Sequence, residues 1–205
     1  MSYGQFTSLE KIEIEFDITI ADRVSLFENI AESEYSDLLA QTLQENIPLA
    51  LAINTEKARS ELIVSPILVE LRKQFEQEIS FFSGKEFNVD VEKGLTGFCD
   101  FLVSRSPEQL LIKAPVIILV EAKNDNIQLG LAQCMAEAIA ARIFNEKRNN
   151  QIEFVYGAIT TGTNWKFLRL VKQTIEVDLQ DYFINDLGKI VGILKYFIDS
   201  NDKNN

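Results

Sequence analysis

Two apolar runs decide the fold: Phe98-Cys99-Asp100-Phe101-Leu102-Val103, and Val116-Ile117-Ile118-Leu119-Val120-Glu121-Ala122-Lys123. The second is continuous, β-branched and preceded by Pro115, the pattern of a buried strand. Side chains alternate along a strand, so Glu121 and Lys123 share one face. If the runs pair, Asp100 lies beside Glu121 on that face, with Cys99 and Phe101 turned into the core. Two carboxylates and an ammonium then meet at the edge of an apolar sheet. Paired carboxylates without histidine suit a hard divalent cation such as Mg²⁺, which prefers oxygen ligands.

Composition narrows the chemistry. The 205 residues support one substantial core, and 46% hydrophobic with 25% charged residues is ordinary for a globular chain. There is no histidine, which removes Ser-His-Asp triads and histidine-based zinc sites. Two cysteines, Cys99 and Cys134, make no disulfide framework and read as buried thiols. No signal core opens the chain and no run is long enough to span a bilayer, so a cytoplasmic protein without membrane contact is expected. No glycine-rich phosphate loop follows a strand, and a nucleotide cofactor is not implied. The net charge is −11, concentrated in residues 1–60, which hold 11 acidic against 4 basic residues.

Working outward, Glu86 to Val91 alternates as a strand ahead of the Asp100 strand, after a turn at Phe81–Gly84. Together with the Glu121 strand this predicts a three-stranded meander. Asn126 is a candidate cap for a helix running to about Glu146, rich in small residues. A strand at 153–159, a turn at 160–163 with Gly162, an aromatic strand carrying Trp165 and Phe167, another strand at 173–177 and a helix at 187–197 complete the core. Residues 199–205 read as a polar tail. Before the meander, Thr55 caps a helix starting near Glu56, and Pro66 kinks it or begins a new one at Ser65. Residues 10–20 alternate Ile and Glu, which predicts an edge strand or an extended arm. Helices are expected at 22–31 and 34–46, with a new segment at Pro48.

Asp100 followed by Glu121-Ala122-Lys123 resembles the core motif of the PD-(D/E)XK nuclease superfamily, with Cys99 where the family's proline usually stands. The resemblance covers roughly residues 56–170. It implies an α/β fold with a restriction-endonuclease-like core: a mixed central sheet flanked by helices, here with an N-terminal helical extension. It divides the chain into residues 1–55, packing on the core, and a nuclease-like domain of residues 56–205, the whole forming one compact unit. It implies Asp100, Glu121, Lys123, Glu61 and Gln133 as the catalytic set. Glu61 matches the acidic residue on the helix before the sheet, with Glu70 in reserve. Gln133 matches the glutamine on the following helix, in preference to Gln128. Mg²⁺ or Mn²⁺ would bind Asp100, Glu121 and the Ala122 carbonyl, with Glu61 reaching it through water.

The implied activity is metal-dependent hydrolysis of phosphodiesters in DNA. The acidic balance predicts weak, salt-sensitive DNA binding by the isolated chain. A homodimer or a partner protein is a candidate source of the missing basic surface. The alternative is a nuclease-fold protein without catalysis, serving as a protein-binding or assembly module.

Overall fold

The computed structural model describes residues 2–76, 78–150 and 152–201; most of the polar tail lies outside them. A mixed eight-stranded sheet runs through the middle, in the order β1-β7-β6-β5-β4-β3-β2, with β8 paired to β6. The strands are β1 (Thr19–Val24), β2 (Ser80–Glu86), β3 (Phe98–Ser104), β4 (Val116–Ala122), β5 (Phe154–Thr160), β6 (Asn164–Val171), β7 (Thr174–Asp178) and β8 (Tyr182–Phe183). β1 with β7 and β4 with β5 are parallel, and the remaining pairs are antiparallel. The meander β2-β3-β4 has the predicted topology, but its first strand is corrected: Phe81–Gly84, read as a turn, is strand, and residues 87–91, read as strand, lie beyond it.

Helices cover both faces. α5 (Gln128–Glu146) joins the parallel pair β4 and β5 and packs across both. It shares its apolar cluster with α1 (Leu9–Phe16), Tyr3 and Phe6. On the opposite face lie α2 (Asp37–Ile53), α4 (Ser65–Gln74) and α6 (Leu187–Asp199). α3 (Glu56–Arg59) runs through a π-helical turn, Ser60–Val64, into α4. Thr55 caps α3 by accepting from Ala58 N–H at 3.1 Å, and Pro66 sits in the first turn of α4, as the sequence predicts. Every residue of β4 is buried, which explains its unbroken apolar run. No helix among the described residues is long and apolar enough to cross a membrane.

Three N-terminal expectations are corrected. Residues 9–16 are helical, not an edge strand or arm. Ser8 caps that helix, accepting from Lys11 N–H, and Asp17 ends it in the left-handed region at φ 52°. The Ile-Glu alternation is compatible with a helix because only Ile12 and Phe16, four residues apart, are buried, while Ile14 is 74% exposed. The helix expected at 22–31 is replaced by the end of β1 and an irregular segment. The second expected helix starts at Asp37 and runs through Pro48 to Ile53.

The irregular segment is held by one ring. Phe27 is fully buried and meets Phe197 at 5.1 Å and Phe167 at 6.1 Å between ring centres. Phe197 in turn stacks on Tyr156 at 4.1 Å. Lys189 donates to Glu28 O at 2.7 Å, and Ser33 N–H donates to Gly188 O at 2.9 Å, tying the segment's two ends to α6. Phe27→Ala removes the ring and leaves a cavity, so we expect a loss of about 3–5 kcal/mol in urea denaturation, with cooperativity retained.

Candidate active site at the end of β4

The β3–β4 ladder pairs Phe101 with Val120, Leu102 with Leu119 and Val103 with Ile118. One further step sets Asp100 across from Glu121. There the ladder changes character: Ala122 N–H donates to the Asp100 carboxylate, Oδ2 at 2.8 Å. On the other side of β4, Lys123 N–H donates to Thr160 O of β5 at 2.8 Å. The last main-chain donors of the strand are thus taken one to each side. Thr160 is itself fixed, its hydroxyl donating to Asn164 O at 2.8 Å and accepting from Gly162 N–H at 2.8 Å. Gly162, at φ 81°, makes the turn that the sequence assigns to it.

Glu121 and Lys123 form a close ion pair through Oε1 and Nζ. The other Glu121 oxygen, Oε2, is buried and has no hydrogen-bond partner among the described residues. Lys123 lies under α5 because Gly130 leaves room: a Cβ there would stand 3.2 Å from Lys123 Cε and 2.7 Å from Ile159 Cγ2. α5 begins as expected, with Asn126 Oδ1 accepting from Gln128 N–H at 2.9 Å. Gln133 is half-buried on α5 and donates to Glu137, and Gln128 is exposed in the first turn.

The electrostatics follow from burial. Desolvation, then repulsion from Asp100, pushes the Glu121 carboxyl up to about 8 despite its lysine partner. Burial also raises Asp100, opposed by the Ala122 N–H and by Lys123. Burial alone would lower Lys123, but the Glu121 carboxylate, with Glu56 and Asp100 behind it, overrides this and holds the ammonium.

Other expected residues go elsewhere. Glu61 lies in the π-helical turn, its side chain 61% exposed and paired with Lys57 at 2.7 Å. The acidic residue of this helical segment whose charge reaches Glu121 and Lys123 is Glu56, at the start of α3. Glu70 is nearly buried and accepts from Ser36 N–H at 2.9 Å and Ser36 Oγ at 2.8 Å, securing the start of α2. Cys99 joins the apolar cluster under α5, near Glu137 and Glu121, while Phe101 joins the opposite cluster. Regular alternation fails between them, where the β2–β3 pairing passes from Lys85–Cys99 to Ser83–Phe101 across Gly84, at φ 58°.

The residue that sequence reasoning missed is Glu137. It is fully buried, its Oε1 accepts from Gln133 Nε2 at 3.3 Å, and its Oε2 has no partner among the described residues. Desolvation, followed by repulsion from Glu121, raises its pKa far above the carboxylate range. The available signal was a lone acidic residue four positions after Gln133, on an otherwise apolar and small-residue helix face.

Among the described residues no group of three or more carboxylate, thiol or imidazole side chains is arranged to hold a metal ion. The local donors are the Asp100 and Glu121 carboxylates, and the unpartnered Glu121 oxygen fits a hard cation that takes oxygen ligands and keeps several waters. No protein-family model matches the chain, and no curated protein matches it.

The raised Glu121 carboxyl has a testable consequence for stability. Its folded pKa, about 8, lies above the unfolded value near 4.5, so stability is fully present below pH 4.5 and falls as pH rises through 8. We expect urea denaturation without added metal to show lower stability at pH 8.5 than at pH 5. Glu121→Gln should flatten that slope.

Proposed function

We propose that this chain is a metal-dependent nuclease built on a restriction-endonuclease-like core, acting on phosphodiesters in DNA. The observation that carries the reading is the site at the end of β4. Asp100 and Glu121 stand across one ladder, Lys123 pairs with Glu121, and a buried Glu121 oxygen has no partner among the described residues. The order helix, meander, helix, strand supports it, as does a Gln133 on the helix that follows β4.

Asp100 and Glu121 would hold Mg²⁺ or Mn²⁺, with the Ala122 carbonyl as a third oxygen donor. The bound cation would supply Lewis acidity toward the scissile phosphate and acidify a coordinated water. Lys123 keeps its proton and therefore acts by charge and position rather than as a base: it orients the attacking water or stabilises charge on the phosphate. Gln133 orients Lys123 or the substrate backbone. Glu56 replaces Glu61 as the acidic contribution from the preceding helix. A net charge of −11 makes intrinsic DNA affinity low, so a second subunit or a partner would add basic surface.

Two measurements test this. Millimolar Mn²⁺ should raise the melting temperature of the wild type at pH 7, and Asp100→Ala should abolish the rise, since a ligand bound only to the native state stabilises it. Metal-dependent cleavage of single-stranded, duplex or branched DNA should fall by about a hundredfold or more in both Asp100→Ala and Lys123→Ala. A wild type that neither shifts with Mn²⁺ nor cuts any of these substrates would hand the site to the alternative reading, a binding or assembly module.

A further inference from the structure

α5 presents a nearly uniform apolar surface to the sheet. Leu131, Ala132, Cys134, Met135, Ala136 and Ala138 are all buried. Gln133 and Glu137 interrupt it, one helical turn apart, and Gln133 itself follows Gly130, which packs on Lys123, by three residues. This spacing sets Gly130, Gln133 and Glu137 along one stripe of α5, with Lys123 packed beneath the first of them.

Glu137 has no exposure at all and, among the described residues, one hydrogen-bond partner, the Gln133 carboxamide. Burying a carboxyl group this way is costly, and an aliphatic side chain would fill the same volume at lower free energy. Stability therefore does not account for it. The charged groups whose fields act on it are Glu121, Asp100 and Lys123, the same three groups that form the candidate active site.

We propose that Glu137 is a positioning residue of this site, fixing the Gln133 carboxamide by its N–H so that the amide's carbonyl oxygen is kept for the Lys123 side. The inference rests on the nuclease reading for its catalytic consequence but not for its geometry. An amide can present either its oxygen or its nitrogen, and the acceptor beneath Gln133 selects which. With Nε2 donating downward to Glu137 Oε1, the free Oε1 of Gln133 can accept from an ammonium or a water but not from a phosphate. Gln133 then serves Lys123 and the attacking water rather than the substrate backbone.

The test uses the full chain with Glu137→Leu, Glu137→Gln and Gln133→Ala. Glu137→Leu should melt at or above the wild type, because it exchanges a buried carboxyl for an apolar group. The side-chain amide resonances of Gln133, assigned by their loss in Gln133→Ala, should move in Glu137→Leu and stay in place in Glu137→Gln, which offers an acceptor of the same shape. In metal-dependent DNA cleavage, kcat should fall by about tenfold or more in Glu137→Leu with KM nearly unchanged, and Glu137→Gln should restore it. The Glu137→Leu and Gln133→Ala losses should not add in the double variant, since both remove one interaction. Unmoved Gln133 resonances in Glu137→Leu, or full kcat in that variant, would overturn the proposal. If Glu137→Leu does not fold, Glu137→Met takes its place: moved Gln133 resonances with a lower kcat support the role, and unmoved resonances or full kcat overturn it. An inert wild type would sink the nuclease reading alone, and the resonances would still decide the positioning role.

Discussion

One hydrogen bond, from Ala122 N–H to the Asp100 carboxylate, sets the terms for the site. A side chain substitutes for a main-chain acceptor where the β3–β4 ladder ends, so Ala122 N–H is not left an orphan donor. A hydrogen bond to a charged acceptor contributes about 1.5–3 kcal/mol. It also fixes which way Asp100 points, and with it the separation of the two carboxylates. Strand geometry and site chemistry are the same event here, because no loop intervenes between them.

That arrangement has a cost. Asp100 and Glu121 repel each other, both are removed from water, and Glu137 adds a third acidic group nearby. Lys123 offsets only part of this. The surrounding structure absorbs the remainder through close packing: a fully buried β4, small residues on α5, and Gly130 admitting the lysine stem. Native proteins tolerate local destabilisation at functional sites when the scaffold around them is secure. The aromatic group of Phe27, Tyr156, Phe167 and Phe197 on the far face supplies some of that security.

The sheet's centre was legible because burial on both faces writes a continuous β-branched run, and its polar interruptions then stand out. Asp100, Glu121 and Lys123 were found for this reason, and Gln133 followed from its place on the next helix. The N-terminal region was harder to read. The Ile-Glu alternation of residues 12–16 has a strand's period, and a helix forms because Ser8 and Asp17 bracket it and Phe16 reaches the core with Ile12. Pro48 was read as a boundary, yet α2 carries it in its interior. Glu61 and Glu56 could not be separated by pattern: they lie five residues apart, and the π-helical turn between α3 and α4 alters the facing of everything after Arg59. Glu137 was obscured by the small residues around it, whose spacing reads as packing alone.

The parallel pairing of β1 with β7 joins Thr19 and Ile20 to Thr174 and Ile175, nearly the whole length of the chain apart. During synthesis β1 emerges first and its hydrogen-bonding partner almost last. α1, which leads into β1, packs against α5 and can settle earlier. The sheet's final edge is consequently closed by a strand that waits for most of the chain to be made. A contact of such sequence separation carries a large closure entropy and tends to form late, after local elements are in place. Until then the edge of β7 offers unpaired main-chain groups to any extended segment nearby, a β1 from a second chain included. The fold's last hydrogen bonds thus decide whether each molecule closes on itself.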